Sequence, residues 1–153
     1  YMLGNGEEVM LAATDLLAET KVAPELSNEA HYYRAKAYLD AGKVEGAMDD
    51  LKILAKDTRN IYGAEAKYKV AQIYFDAGQT GQAEKEVLDY IEVSTPHTYW
   101  LARSFVLLSD VYMKLGRNLD AKQYLLSLKQ NYQADDDIAG MIESRLNKLN
   151  AEN

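Results

Sequence analysis

The chain has 153 residues, of which 48% are hydrophobic and 27% charged, and these values favour one folded domain over a disordered chain. Its formal charge of −7 argues against a nucleic-acid partner, because phosphates are bound by cationic surfaces. The absence of cysteine excludes disulfides, thiolate metal sites and cysteine nucleophiles. No apolar run reaches the ~18 residues of a membrane-spanning helix and no basic-then-apolar leader is recognisable, so direct membrane insertion is not expected.

Apolar and small residues recur at helical spacing along most of the chain, whereas β-branched runs are short and hairpin signals are missing. The pattern therefore predicts helices and no sheet. In chain order, the predicted helices cover residues 7–20, 28–41, 44–57, 61–77, 81–93, 96–115, 119–131 and 138–150.

Three of these helices have start signals in the sequence. Ser27 or Asn28 is expected to cap the second helix with its side chain. Thr95 followed by Pro96 predicts the start of the sixth helix, with a capping residue and then proline at the first helical position. The acidic run 135–137 places negative charge at the start of the last helix, where the helix dipole favours it. It lacks the alternating oxygen ligands and closing glutamate of a calcium loop.

An internal repeat is visible in four kinds of residue that recur in the same order. The tyrosines of this pattern are separated by 36 and then 38 residues, and its glycines and alanines step by the same amounts. The three sets are Tyr38, Gly42, Ala47 and Leu51; Tyr74, Gly78, Ala83 and Val87; and Tyr112, Gly116, Ala121 and Leu125. Register held through two periods indicates a helical repeat.

Glycine and alanine have clear physical roles in each repeat. Glycine is predicted to end a helix, because it adopts the left-handed conformation without a side-chain penalty. Alanine lies where two helices would cross closely. Gly4 precedes Gly42 by 38 residues, so the chain is expected to begin halfway through a repeat. That start would expose an apolar face and predicts a homodimer through this end, formed by Met10, Ala13, Leu16 and Leu17.

With a small residue three places before each tyrosine (Ala35, Ala71 and Ser109), the three sets resemble the tetratricopeptide repeat over about residues 28–132. The resemblance implies an all-α fold, a right-handed superhelix of antiparallel helix pairs forming a TPR-like alpha-alpha solenoid of about 8 helices. The chain, 1–153, is then one domain. Its parts are 1–25 (second helix of a truncated repeat), repeats at 26–60, 61–94 and 95–132, and a capping helix at 135–153.

The first two repeats depart from this pattern at polar positions. His31 and Lys67 stand where the family prefers a large aromatic residue, and Arg34 stands where it prefers leucine. The packing of the first unit is therefore the part of the fold that the resemblance specifies least.

The resemblance also implies a site for a partner. In this family the first helix of each pair lines a concave groove that holds a peptide or a partner segment. The corresponding rows here are Tyr32, Lys36 and Leu39; Tyr68, Gln72 and Phe75; and Val106, Asp110 and Met113. Their i, i+4, i+7 spacing places each row on one helix face. They lack the lysine and asparagine of the two-carboxylate clamp, so an acidic chaperone tail is not expected there. The alternative is that these residues pack against a neighbouring repeat or a terminal helix.

No pattern of catalysis or cofactor binding accompanies the repeat, so neither an enzyme nor a cofactor is expected. His31 and His97 are far apart in sequence and have no carboxylate at zinc-ligand spacing, so no metal site is expected. The segment from Gly78 to Gly81 lacks the Gly-Lys-Ser/Thr ending of a phosphate loop.

The leading hypothesis for function is therefore an interaction scaffold, a fragment of a larger multi-repeat protein that binds a peptide or protein partner in an apolar groove. The alternative is a spacer or self-association module without a ligand site of its own. The resemblance to repeats of bacterial, often envelope-associated proteins suggests the cell envelope or periplasm, with the cytoplasm as the alternative.

Overall fold

Every element of the computed structural model is a helix within residues 6–18 and 23–151, which are the residues that the structure describes. The eight helices are α1 (Gly6–Leu17), α2 (Pro24–Asp40), α3 (Val44–Leu54), α4 (Ile61–Asp76), α5 (Thr80–Glu92), α6 (Thr98–Lys114), α7 (Asn118–Asn131) and α8 (Ile138–Ala151). The predicted all-α class and helix number are confirmed for this part of the chain. The chain forms two compact units, Tyr1–Val70 and Ala71–Asn153, described separately below.

The start of α2 differs from the prediction. The helix begins at Pro24, with Ala23 as the N-cap residue, so the expected cap at Ser27 or Asn28 is wrong. Proline suits the first helical position because its fixed φ is already helical and its missing N–H has no intrahelical partner there. The predicted turn at Gly4 and the predicted end of α1 at Thr20 lie outside the described residues.

The start of α6 also lies later than predicted. The helix begins at Thr98 with His97 as its N-cap residue, so Pro96 is not the first helical position. Instead, the Thr95 hydroxyl accepts a hydrogen bond of 3.1 Å from the His97 amide. This side-chain turn occupies the capping group of Thr95 before the helix begins.

The link between α2 and α3 shows why tyrosine, glycine and alanine keep their spacing. Gly42 has a φ of 74°, the left-handed conformation expected of a glycine that ends a helix. Its amide donates to the Leu39 carbonyl at 3.0 Å, and the Lys43 amide donates to the Tyr38 carbonyl at 2.8 Å. Lys43 is also the N-cap residue of α3, and its carbonyl accepts from the Ala47 amide at 3.2 Å. One hydrogen-bonded turn thus fixes every spacing from Tyr38 to Ala47.

The same turn forms twice more. Gly78 and Gly116 have φ values of 80° and 76°. The amides that follow them donate to the Tyr74 and Tyr112 carbonyls at 2.9 and 2.8 Å. The predicted role of the glycines is therefore confirmed. The alanines that close the three turns, Ala47, Ala83 and Ala121, are each 0% exposed, as a close helix crossing requires.

In the first unit, α2 packs against both α1 and α3, and a polar cluster holds α2 to α3. Asp50 of α3 is 1% exposed, and its carboxylate accepts hydrogen bonds from Arg34 Nε at 2.8 Å and Arg34 Nη2 at 2.6 Å. His31 Nδ1 lies 2.8 Å from the same carboxylate. His31 and Arg34, two of the polar residues that depart from the repeat pattern, are therefore satisfied by one buried acid.

The first turn of α4 approaches the end of α3 so closely that only glycine fits. A Cβ atom on Gly63 would lie 1.9 Å from the Asp57 carbonyl oxygen and 2.6 Å from that of Leu54. Both distances are far below van der Waals contact, so a side chain at this position would separate α4 from the end of α3.

In the second unit, α6 is the central helix and packs against α5, α7 and α8. The acidic run lies at the start of α8 as expected, and Asp136 Oδ1 accepts a hydrogen bond of 2.9 Å from the Ile138 amide. The buried face of α8 consists of Ile138, Ile142, Leu146 and Leu149. With this face, α8 packs against α6 and α7.

Two glycines that are three residues apart should respond to alanine in opposite ways. Gly78→Ala forces a residue with a Cβ into the left-handed region and should lower the free energy of unfolding by about 1 kcal/mol. Gly81→Ala lies in α5, where an added Cβ meets nothing within 4 Å, and should raise it by about 0.5 kcal/mol. Urea unfolding of both variants checks the sign of each change in the free energy of unfolding. Equal effects would contradict the role assigned to Gly78.

Removing Asp50 from the polar cluster should destabilise the protein strongly, whereas replacing all three members with apolar residues should destabilise it much less. Asp50→Ala leaves Arg34 and His31 without their acceptor and should lower the free energy of unfolding by about 3 kcal/mol. The triple variant His31→Phe, Arg34→Leu and Asp50→Leu replaces all three groups with apolar ones and should recover most of this loss. Thermal and urea unfolding measure both. A triple variant as unstable as Asp50→Ala would show that the cluster is not interchangeable with apolar packing.

Candidate functional site

A pocket of about 320 Å³ in the second unit brings together three of the predicted site residues. Its lining consists of Phe75, Asp110, Met113, Lys114 and Lys148. Phe75 comes from the last turn of α4, the next three residues from the C-terminal part of α6, and Lys148 from the last turn of α8. The pocket therefore depends on α8 as well as on the repeat itself.

The repeated turn fixes the positions of the two apolar residues of this pocket. The Phe75 carbonyl accepts a hydrogen bond of 3.0 Å from the Gly78 amide, and the Met113 carbonyl accepts one of 3.1 Å from the Gly116 amide. Phe75 and Met113 thus occupy equivalent places, each directly after the tyrosine of its repeat. Both side chains are half-buried, so each retains apolar surface that a ligand can cover.

Asp110 forms one wall of the pocket and is already engaged. Arg145 of α8 donates to its two carboxylate oxygens, from Nε at 2.7 Å and from Nη2 at 2.9 Å. Arg145 Nη1 also donates to the Met141 carbonyl at 3.1 Å, which holds the guanidinium in place. The paired, two-point geometry neutralises the carboxylate and ties α8 to α6.

The remaining charged groups of the pocket are cationic. Lys114 Nζ lies 5.7 Å from the centre of the Phe75 ring, within the range of a cation–π contact. Lys114 and Lys148 are both exposed, and neither ammonium group pairs with a carboxylate of the described residues. The pocket therefore combines two positive charges with an apolar floor, which is the exposed surface of Phe75 and Met113.

The other predicted residues of the second unit lie outside this pocket. Val106 is 3% exposed and belongs to the buried face of α6, so its side chain packs inside the unit. The Gln72 amide donates to Asp76 Oδ1 at 2.8 Å, one helical turn further along α4. The Val106 side chain is therefore buried, and the Gln72 amide bonds within its own helix.

In the first unit, Tyr32 and Lys36 face α4 and converge on Glu65. The Tyr32 hydroxyl donates to the two Glu65 oxygens at 3.1 and 3.2 Å, and Lys36 Nζ lies 3.8 Å from Glu65 Oε2. The Tyr32 ring also packs against Tyr62, with the ring centres 4.5 Å apart. Burial, reinforced by the Glu65 charge, raises the pKa of Tyr32 far above its usual value, so its hydroxyl stays protonated.

The last two predicted residues of the first unit differ in exposure. Tyr68 is only 7% exposed, so it presents almost no surface to a ligand. Leu39 is half-buried and keeps part of its side chain at the surface. Which residues of these two rows contact a partner stays a prediction.

The face predicted for self-association is partly covered. Ala13 is buried in the contact of α1 with α2, whereas Met10, Leu16 and Leu17 are half-buried. Leu11 of α1 is a large apolar residue that is 61% exposed. Self-association through this end stays a prediction.

Sequence reasoning missed Lys114, Arg145 and Lys148, because the residues considered for the site were three rows on repeat helices. A signal did exist in each helix. Arg145 and Lys148 are three residues apart on α8, and Asp110 and Lys114 are four apart on α6, so each pair shares a helix face. What the sequence does not show is that the two faces meet.

Among residues 6–18 and 23–151, no group of three or more histidine and acidic side chains could hold a metal ion. The helices of the same residues include none with the length and apolarity needed to span a bilayer. Comparison with models of protein families, with curated proteins and with solved structures finds no match to this chain.

Proposed function

We propose that the chain is a tetratricopeptide-type module that binds a segment of a protein partner. In this proposal its antiparallel helix pairs stack as a right-handed superhelix, and the module is part of a larger multi-repeat protein. Support comes from the three matching turns, in which left-handed glycines and buried alanines recur with the same hydrogen bonds. A hydrogen-bonded turn repeated at intervals of 36 and 38 residues is typical of a helical repeat array.

The observation that carries the binding role is the pocket around Phe75 and Met113. A half-exposed aromatic ring and a flexible thioether form an apolar surface that adapts to the side chain it receives. The volume of about 320 Å³ lies at the small end of the range for ligand pockets. It suits one or two side chains of a peptide better than a large cofactor, and an extended or helical segment can supply them.

Other parts of the proposal follow from the resemblance and the charge. No catalytic role is proposed, because Asp110, the acid of the pocket, is engaged at both oxygens by Arg145. Nucleic acid is an unsuitable partner for a chain with a formal charge of −7. A bacterial envelope or periplasmic setting remains the proposed location, on the basis of the resemblance.

A paired comparison of surface variants tests the binding role. Phe75→Asp with Met113→Asp places charge in the apolar floor and should reduce partner capture at least about tenfold, as expected for loss of a hot spot. Leu119→Asp with Leu126→Asp is the matched control, because these α7 side chains are 71% and 45% exposed and do not line the pocket. Capture is measured by crosslinking pull-down from extract of the source cells, with quantitative mass spectrometry.

Circular dichroism and thermal unfolding must first show that both double variants fold like the parent chain. Equal capture by parent and pocket variant would move the interface away from Phe75 and Met113. If the folded parent chain captures nothing above background, the spacer alternative replaces the binding role.

A further inference from the structure

We infer that the pocket lined by Phe75, Asp110, Met113, Lys114 and Lys148 selects segments in which an apolar side chain is flanked by aspartate or glutamate. This inference rests on the proposed function, since it specifies the ligand of the same pocket. The partner is thus an acidic peptide with an apolar anchor, and its carboxylates are side chains.

Charge is the first reason for this choice. The pocket and the Arg145–Asp110 ion pair beside it contain three cations and one acid, although the whole chain has a formal charge of −7. The cations are Lys114, Lys148 and Arg145, and the acid is Asp110. Arg145 engages both oxygens of Asp110, so this carboxylate presents little negative charge to a ligand. Lys114 and Lys148 remain as two positive charges that an acidic segment can neutralise.

The availability of these two ammonium groups is the second reason. Some lysines of the chain are held by acids, such as Lys69, which lies 2.9 Å from Glu65, and Lys129, which lies 2.6 Å from Glu143, whereas Lys85 and Lys122 have no carboxylate partner among the described residues. Neither Lys114 nor Lys148 has such a carboxylate partner among the described residues. A ligand carboxylate therefore has no internal acid to displace at either position.

Placement is the third reason. Lys114 lies against the ring of Phe75, so a carboxylate that reaches its ammonium group brings the neighbouring ligand side chain close to the apolar floor. Lys148 comes from a different helix, so each ammonium group can donate to its own ligand carboxylate beside one apolar anchor. Neither lysine belongs to the three helix rows that the sequence pattern singled out, where the only lysine is Lys36.

Fluorescence anisotropy with three labelled hexapeptides tests the inference directly. The probes are Glu-Asp-Leu-Phe-Asp-Glu, its amide counterpart Gln-Asn-Leu-Phe-Asn-Gln, and the basic Lys-Lys-Leu-Phe-Lys-Lys, all with blocked ends. The acidic peptide should bind the parent chain at least about tenfold more tightly than the other two. Because exposed charges contribute, its affinity should fall as salt is raised from about 50 to about 300 mM.

Charge reversal of Lys114 and Lys148 tests whether the acidic peptide binds at this pocket. Lys114→Glu with Lys148→Glu should weaken the acidic peptide at least about tenfold. Lys85→Glu with Lys122→Glu is the matched control, since these residues lie on α5 and α7, outside the pocket, and the change in formal charge is the same. The control should leave affinity within about twofold, which separates local contact from the general field of the protein.

The results distinguish failure of this inference from failure of the proposed function. Equal affinity of the acidic and amide peptides, lost with Phe75→Asp and Met113→Asp, would overturn the charge selection and leave apolar recognition in place. Equal weakening by the two lysine double variants would also overturn it. No binding of the acidic peptide at low salt overturns the inference, whereas loss of the captured native partner from the pocket variant would still support the binding role.

Discussion

The left-handed turn at Gly42, Gly78 and Gly116 is the constraint on which the helical architecture depends. At each turn the amide after the glycine bonds to the tyrosine carbonyl of the preceding helix. The same residue is the N-cap of the next helix, and its carbonyl accepts from the alanine amide. A single turn therefore ends one helix, starts the next and places a fully buried alanine at their crossing.

That turn also explains where the pocket lies. The carbonyl of the residue after each tyrosine accepts a hydrogen bond from the glycine amide, so the turn fixes the backbone position of this residue. The turn does not restrict which side chain this residue carries. In the second unit these residues are Phe75 and Met113, and both line the pocket. The terminal helix α8 then adds what the repeat lacks, namely Arg145 to engage Asp110 and Lys148 to supply a cation.

Local patterns in the sequence were enough to predict most helices, the glycine turns and the buried alanines. They failed at two helix starts, because proline at position 24 and the side-chain turn at Thr95 shift the first helical residue. They also gave no indication that Asp50 satisfies His31 and Arg34, which precede it by 19 and 16 residues.

The candidate site was only partly predictable for the same reason. Helix spacing selected Phe75, Asp110 and Met113, which line one pocket because the repeat itself positions them. It also selected Tyr68 and Val106, which are buried, because a shared helix face does not reveal which neighbour covers it. The lysines were missed since their proximity depends on how α8 packs against α6, a contact that the repeat pattern does not contain.

The most direct measurement is an amide chemical-shift map of the isotopically labelled chain, recorded by NMR while the acidic hexapeptide is added. Binding as described here predicts shifts that saturate together and are centred on Phe75, Met113, Lys114 and Lys148, with α1 and α3 unperturbed. Shifts centred on α1 or α3, or scattered without saturation over the whole surface, would contradict the assignment of this pocket as the binding site.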